Sequence, residues 1–452
     1  MVRLMKLLLM GVFAFTLNHQ INSNGLMAND GLAIVGGRII DGNGGTPVID
    51  GVILVESGRI KAVGKIGDIE IPDDARIIDA NGLTIMPGLI DVHVHFDILG
   101  HADYNHWFAT YEDRMRSDIL PSAAKAMLNA GVTSVRDLGA DVSNIFWVRD
   151  QINSGKMPGP RTFIAGPFLR KTVTAFVSDT YKDTWPIESP DDARAKVRKL
   201  KAMGVDVIKT QDEALSGEEL AAIYDEAHKQ GLRVASHIYS AAGIKAALKA
   251  GLDPYDTIEH IGDGEAPAYD AEILDLIVQN KVAMAPTIIA LDGLAQIIDN
   301  LELTDDPRWK RDLPADIYRD VRRSYRSGDL SSHPLYKRAT TDRPGRMAKL
   351  RQLADAGAIY AVSSDSGTRG NPHHDAVWKE MVLLQEATGK SNMEILGIAT
   401  KTNAVILNQL DNLGTLEVGK YADIILIDGD PLLHLADMRR VKHVIKAGEL
   451  IR

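Results

Sequence analysis

The chain has 452 residues, of which 45% are hydrophobic and 25% charged, with 39 Gly and 18 Pro. This is ordinary globular usage and excludes disordered, collagen-like and coiled-coil classes. The 51 Lys and Arg against 61 Asp and Glu give a formal charge of −10, and an acidic field disfavours nucleic acid or anionic membrane as a partner. Cysteine is absent, so disulfides, thiolate nucleophiles and Cys-based zinc or iron–sulfur sites are all excluded.

At the N-terminus, Arg3 and Lys6 precede an apolar run from Leu7 to Phe15. The run is too short to cross a bilayer as a helix and suits a secretory signal over residues 1–22. The expected location is therefore periplasmic or secreted, with no stable membrane span after processing. The alternatives are an uncleaved anchor, or a leader that is no signal and a cytoplasmic protein. Residues 30–87 then carry short β-branched runs, LAIVGGRIID, GVILVESGRIKAVG and ARIIDANGLTIMPG, separated by Gly, Asn and Asp. The texture returns over residues 406–452 in YADIILIDGD and VKHVIKAGELI. Two strand-rich ends around a different middle predict one small β domain built from both termini.

Residues 88–405 alternate short apolar runs with amphipathic helical patterns. The predicted strands are GLIDVHVHF, VTSVRDLG, RTFIAGPFL, VDVIKT, RVASHIYS, DTIEHIG, VAMAPTII and AIYAVSSDS. Helical stretches such as DDARAKVRKLKAMG and GEELAAIYDEAHKQG run to a Gly before the next strand, as helix C-termini do. Eight strand–helix alternations favour a closed parallel α/β barrel over its rival, an open doubly wound sheet. A basic helical insertion, about 296–351, follows the seventh strand.

Chemistry in such a barrel gathers at the C-terminal ends of its strands. His93 and His95 end the first, Lys209 the fourth, His237 the fifth, His260 the sixth and Asp365 the eighth. Period two aims His93 and His95 to one side, with Val94 turned away. Taken singly, each residue has an ordinary explanation: a core histidine, a salt-bridged lysine, a turn aspartate. Together at one barrel mouth they do not, because burying so many polar groups unpaired is prohibitive. A metal centre accounts for them.

At these residues the chain resembles the amidohydrolase superfamily, and within it the imidazolonepropionase-like and prolidase-like dipeptidase branch. GLIDVHVHF, GVTSVRDLG, the strand-four lysine, SHIYS, TIEHIG, SSDSGT and LGTLEVGKYADIILIDGDP carry the resemblance. It implies a distorted (β/α)8 TIM barrel with a small β-sandwich formed by both ends. It further implies that His93 and His95 hold one divalent ion, and His237 with His260 a second. Lys209, carbamylated by CO2, would bridge them, and Asp365 would bind the first ion and touch a bridging hydroxide. Nitrogen and oxygen donors without sulfur suit Zn2+ first, with Mn2+, Co2+ or Fe2+ as alternatives. A one-metal site remains the rival, because a carbamate cannot be read from sequence.

The activity implied is hydrolysis of a C–N amide or peptide bond, in a dipeptide or N-acyl amino acid. Opening of a cyclic amide or imidazolone, and lactone or ester hydrolysis, are the alternatives. A non-catalytic binding subunit is a remote one, since no ligand position is lost. Tyr239, two residues past His237, suits an oxyanion donor or a plain wall. Arg136 and Asp137 read as a structural ion pair. Where relatives carry a Gly- and His-rich loop, this chain has Arg170 and Lys171, candidates for a substrate carboxylate. The aromatic segment HADYNHWFATYEDR holds His101 and His106, as pocket or packed-loop residues. From Arg308 to Arg351, 13 Lys and Arg stand against 5 Asp and Glu. If this segment lies over the mouth, a small carboxylate-bearing substrate is favoured, and Arg322 and Arg323 are the residues to reverse. Homo-oligomer formation is left open.

Overall fold

Strands from both chain ends share one sheet in the computed structural model, which describes residues 31–171, 184–211, 213–262, 266 and 268–452. The leader expectation lies outside the described residues. Early strands are β1 (Leu32–Ile39), β2 (Val48–Glu56), β3 (Arg59–Lys65), β4 (Arg76–Asp79) and β5 (Thr84–Pro87). β1 pairs antiparallel with β2, and its two halves pair parallel with β4 and then β5. The switch between partners falls at Gly36, whose φ of +95° only glycine adopts easily. The late strands β15 (Ile424–Ile427), β16 (Val441–Lys446) and β17 (Glu449–Leu450) join through β5, giving eight strands in one sheet. This sheet surrounds a core of its own that includes Ile34, Ile53, Ile85, Ile424 and Leu426. One mixed sheet of eight strands thus joins both chain ends.

Between these ends the chain is α/β, with every strand pair parallel. β6 (Leu89–Val94), β7 (Val132–Asp137) and β8 (Arg161–Ile164) form one arc. β9 (Phe168–Arg170), β10 (Thr184–Pro186), β11 (Val207–Gln211), β12 (Arg233–His237), β13 (Thr257–Glu259) and β14 (Ala283–Ala285) form the other. The expected closed barrel is not drawn as one continuous ladder among the described residues. AIYAVSSDS, the expected eighth strand, is an extended segment bridged at Tyr360 to Met284 of β14 and at Ser366 to Val94 of β6. A lone backbone bond, from Asp206 N–H to the Ile164 carbonyl (2.8 Å), spans the seam between β8 and the start of β11. Between the two bridges, side chains take the backbone groups that a ladder would use: Asn403 donates to the Ile90 and Val362 carbonyls (both 2.7 Å), and Asp91 accepts from Ser364 N–H (3.0 Å).

Helix boundaries follow the sequence signals. Pro190–Met203 starts at Ser189, whose side chain accepts from Asp192 N–H, and stops at Gly204 with φ +90°. Gly217–Lys229 opens with a capping box between Ser216 and Glu219. In that helix, His228 reaches Asp256 (2.8 Å) and Asp253 (3.1 Å), while Asp256 also accepts from Val234 N–H of β12 (2.7 Å). The cluster therefore fixes where β12 starts beside β13.

Burial opposes the proton on His228, but Asp256 and Asp253 outweigh it and raise its pKa above the ordinary value. A raised folded-state pKa gives stability that is fully present below about pH 6.5 and is lost as pH rises through the folded value. In urea unfolding, His228→Gln should therefore cost about 1 kcal/mol more near pH 5 than near pH 8.5, the partly exposed site limiting the effect. An equal cost at both values would contradict the assignment.

Candidate metal centre

β6 carries the first part of the site. Asp91 and His93 alternate onto one side of the strand, and His95 follows just beyond its end. The extended segment beside β6 supplies Asp365. Its N–H donates to the His93 carbonyl (2.7 Å), and His95 N–H donates to the Ser366 carbonyl (3.0 Å). Together these bonds bring Asp365 Oδ1 to 3.2 Å from His95 Nε2 and 3.5 Å from His93 Nε2. All three side chains are buried, with ligand-type atoms within 4.8 Å of one another.

Both imidazoles are oriented from behind. His93 Nδ1 donates to Glu259 Oε2 (2.7 Å), and Glu259 Oε1 accepts from Arg136 Nη2 (2.9 Å). Arg136 in turn donates to the Val92 carbonyl (2.7 Å) and to Thr257 Oγ1 (3.0 Å). His95 Nδ1 donates to the Gly139 carbonyl (3.0 Å). These contacts turn both Nε2 atoms toward Asp365, the arrangement found behind metal-bound histidines.

Neighbouring strands supply the rest. His237 ends β12, and its Nδ1 lies 2.9 Å from His260 Nε2. The far nitrogen of His260 meets Thr287 Oγ1 at 2.7 Å. The His93 and His260 rings are 5.3 Å apart, which joins the two halves. Lys209 on β11 is fully buried, and its charge acts on His93, His237 and His260. His260 and Thr287 share left-handed φ values of +72° and +48° with Asp365. Such conformations cost about 1–3 kcal/mol each and cluster where function demands them.

The electrostatics favour a cation. Burial and the Lys209 charge lower His93 to about 4, leaving its ring neutral. Burial also opposes a proton on His95, yet the bond to Asp365 and the negative field of Asp365, Asp137 and Asp97 push it up to about 9. Burial would raise Asp365, but His93 and His95 hold it far below the carboxylate range. A pocket whose field holds a positive charge on His95 is one that would accept a positive ion in its place. The donor set of imidazole nitrogens and one carboxylate fits zinc-class ions.

These groups open onto a cleft of about 690 Å3, counting its open mouth. Tyr239, His260, Thr287 and Asp365 form its floor side, Leu291, Leu294 and Leu335 give apolar wall, and Tyr104, Arg346 and Arg369 complete it. The Tyr239 ring stacks on His260 (5.0 Å, 17°) and meets His237 edge-on at 4.8 Å, with the Arg338 guanidinium 4.9 Å from its centre. Burial pushes the Tyr239 hydroxyl above its ordinary value, so it remains a donor.

The structure thus brings His93, His95, Lys209, His237, His260 and Asp365 to one place, with Tyr239 beside them. Three expectations change. Arg136 pairs with Glu259 and not with Asp137, which instead accepts from Phe96 N–H (2.8 Å) and Gly139 N–H (3.1 Å). Arg170 bonds to Gln211 (2.7 Å) and Lys171 to Glu219, and neither is among the residues that line the cleft. Arg322 pairs with Asp305, and the exposed Arg323 lies 4.0 Å from Asp320. The cations that line the cleft are Arg346 and Arg369 instead. Glu259, Thr287 and Arg369 were not foreseen. Glu259 had a usable signal: Thr257 and Glu259 alternate to one side of a short strand and require a polar partner there.

Residues 84–451 match the amidohydrolase family, and the chain belongs to it. It is a hydrolase of that family. The chain is similar to ochratoxinase of Aspergillus niger, at 24% identity over 470 residues, 93% of this chain and 86% of the relative. Among solved structures it is similar to a putative prolidase from Bifidobacterium longum, with TM-score 0.73, 28% identity, and 93% and 94% of the two chains covered. A Xaa-Pro dipeptidase with methionine bound in its active site is similar too, with TM-score 0.72, 26% identity, and coverages of 93% and 100%.

Proposed function

We propose that this chain hydrolyses an amide or peptide C–N bond in a small carboxylate-bearing substrate, a dipeptide or an N-acyl amino acid. The observation that carries the reading is the meeting of Asp365 with His93 and His95, beside the His237–His260 pair, at the floor of one cleft. In this reading the two parallel arcs and the Tyr360–Ser366 segment make a distorted barrel of eight strand positions, and the terminal sheet folds over as a sandwich.

His93, His95 and Asp365 would hold one divalent ion, and His237 and His260 a second. Lys209 would lie between them as a carbamate. A buried ammonium among imidazoles is disfavoured, whereas its CO2 adduct is an anionic oxygen donor that balances cations. Zn2+ fits the donors first, with Mn2+, Co2+ and Fe2+ as alternatives. Such ions supply a water acidified to near-neutral pH and a polarised carbonyl.

The chain's own groups do the remaining work. Asp365 takes the proton of the attacking water and passes it to the departing amine. Tyr239 donates its hydroxyl to the oxygen that becomes negative as the carbonyl is attacked. Glu259, itself held by Arg136, keeps His93 aimed. The apolar wall receives a side chain, and Arg369 gives the cleft a positive charge for a carboxylate, whereas Arg346 is paired with Asp292 (3.0 Å). Arg369 is anchored by its bond to the Ala102 carbonyl (2.9 Å) and by stacking on Tyr104 (3.6 Å). Relatives named prolidase, Xaa-Pro dipeptidase and ochratoxinase support this substrate class.

A panel of dipeptides, N-acyl amino acids, cyclic amides and lactones, assayed with added Zn2+ or Mn2+, tests it. Turnover of the acyclic, carboxylate-bearing amides is expected, with Tyr239→Phe lowering kcat on them by about 10²-fold. Turnover of lactones or cyclic amides alone would overturn the substrate assignment.

A further inference from the structure

Away from the floor of the cleft, another group of ligand-type side chains comes together among the described residues. His101, His106 and Asp320 offer atoms that all lie within 4.8 Å of one another. His101 follows β6, His106 stands in the helix Tyr104–Tyr111, and Asp320 in the helix Ala315–Ser324 of the insertion. Asp320 Oδ2 lies 2.7 Å from His106 Nε2 and 3.6 Å from His101 Nε2. The two imidazoles stack with centres 5.1 Å apart at 18°.

We propose that His101, His106 and Asp320 form a separate structural cation site, which takes a zinc-class divalent ion and clamps the segment after β6 to the insertion. Several features suit it to an ion and not only to a hydrogen-bonded latch. His101 Nδ1 lies 2.8 Å from the Asp103 carbonyl and 2.9 Å from the Asp103 backbone nitrogen. A bound ion selects the tautomer that donates to the carbonyl and leaves the Nε2 lone pair toward Asp320, whereas the tautomer that accepts from the N–H makes the hydrogen-bonded latch. Tyr111 donates its hydroxyl to Asp320 Oδ2 (3.0 Å), which orients the carboxylate from outside. His101 is buried.

A tetrahedral zinc site with bonds near 2.0–2.2 Å separates its donor atoms by about 3.3 Å. The His101 pair is close to that already. The His106 pair needs to open by about half an ångström relative to a zinc site, and its half-exposed ring has room to turn. Two imidazoles and one carboxylate leave the fourth position to water. The clamp would matter at the cleft mouth. Tyr104, which lines the cleft and carries Arg369 against its ring, opens the helix that holds His106.

The test adds Zn2+ alone to the holoenzyme, already carrying the ions it was purified with, and counts retained metal per chain after desalting. His106→Ala and Asp320→Asn are measured alongside, with activity followed throughout. Wild type is expected to retain one more equivalent of Zn2+ than either variant and to gain thermal stability from it, whereas the variants gain none. Activity at saturating substrate is expected to stay the same in His106→Ala. Equal retention in wild type and both variants would overturn the proposal and leave the cluster as a hydrogen-bonded latch. Loss of activity without a change in the count would overturn it as well. Failure of the substrate assignment leaves this count untouched, so the two outcomes are separable.

Discussion

Asp365→Asn is expected to leave the fold intact and to lower kcat by about 10²–10⁴-fold, the usual effect of removing a positioned acid–base group. The amide keeps the shape of the carboxylate and can keep the bond between the residue 365 N–H and the His93 carbonyl, since that is backbone. What it loses is the negative charge that His93 and His95 now hold far below the carboxylate range. Without that charge the proton on His95 is no longer favoured, and an anion that could accept a proton from water is gone. The variant should unfold in urea at nearly the wild-type midpoint. Near-full activity would remove Asp365 from the chemistry, and an unfolded variant would make it a structural residue.

Glu259→Gln should show a different pattern, a loss of stability together with a loss of metal. Glu259 bridges Arg136 (2.9 Å) and His93 (2.7 Å) with no exposure to solvent. Burial would raise its pKa, yet Arg136 and His93 prevail and lower it to about 2. Removing one member of a buried pair leaves the other uncompensated, at a cost of about 3–5 kcal/mol. Loss of the group that orients a ligating histidine weakens metal affinity by about 10–100-fold. The expected result is a lower urea midpoint and a site that is emptied at a lower chelator concentration. A drop in stability with unchanged chelator sensitivity would confine Glu259 to the packing of the interior.

Much of this centre is legible in the sequence, because strand periodicity is simple. His-Val-His at the end of β6 puts both rings on one side, and the same rule sets Tyr239 beside His237. That rule also shows why the Arg136–Asp137 pairing was wrong: consecutive strand residues face opposite ways, so Arg136 turns to Glu259 and Asp137 to backbone N–H groups. The eighth strand was harder. AIYAVSSDS has strand composition, but nothing local in it reveals that the side chains of Asn403 and Asp91 take the backbone groups a ladder would use. The basic insertion does reach the cleft, through Leu335, Arg338 and Arg346, but the particular arginines expected there were the wrong ones. A count of charges carries no information on partners, and Asp305 and Asp306 just before it take Arg322 and Arg308. Arg369 could not be anticipated, because its place in the cleft depends on stacking over Tyr104 from a distant loop.

The central claim is that His93, His95, His237, His260, Asp365 and Lys209 hold divalent ions that the reaction needs. Metal analysis of the purified full-length chain before and after chelation, with activity on the best amide substrate, tests it most directly. The account predicts zinc-class ions at the site, loss of activity when they are stripped, and recovery on adding Zn2+ or Mn2+ with bicarbonate. A fully active protein that is free of metal and indifferent to chelator would contradict it.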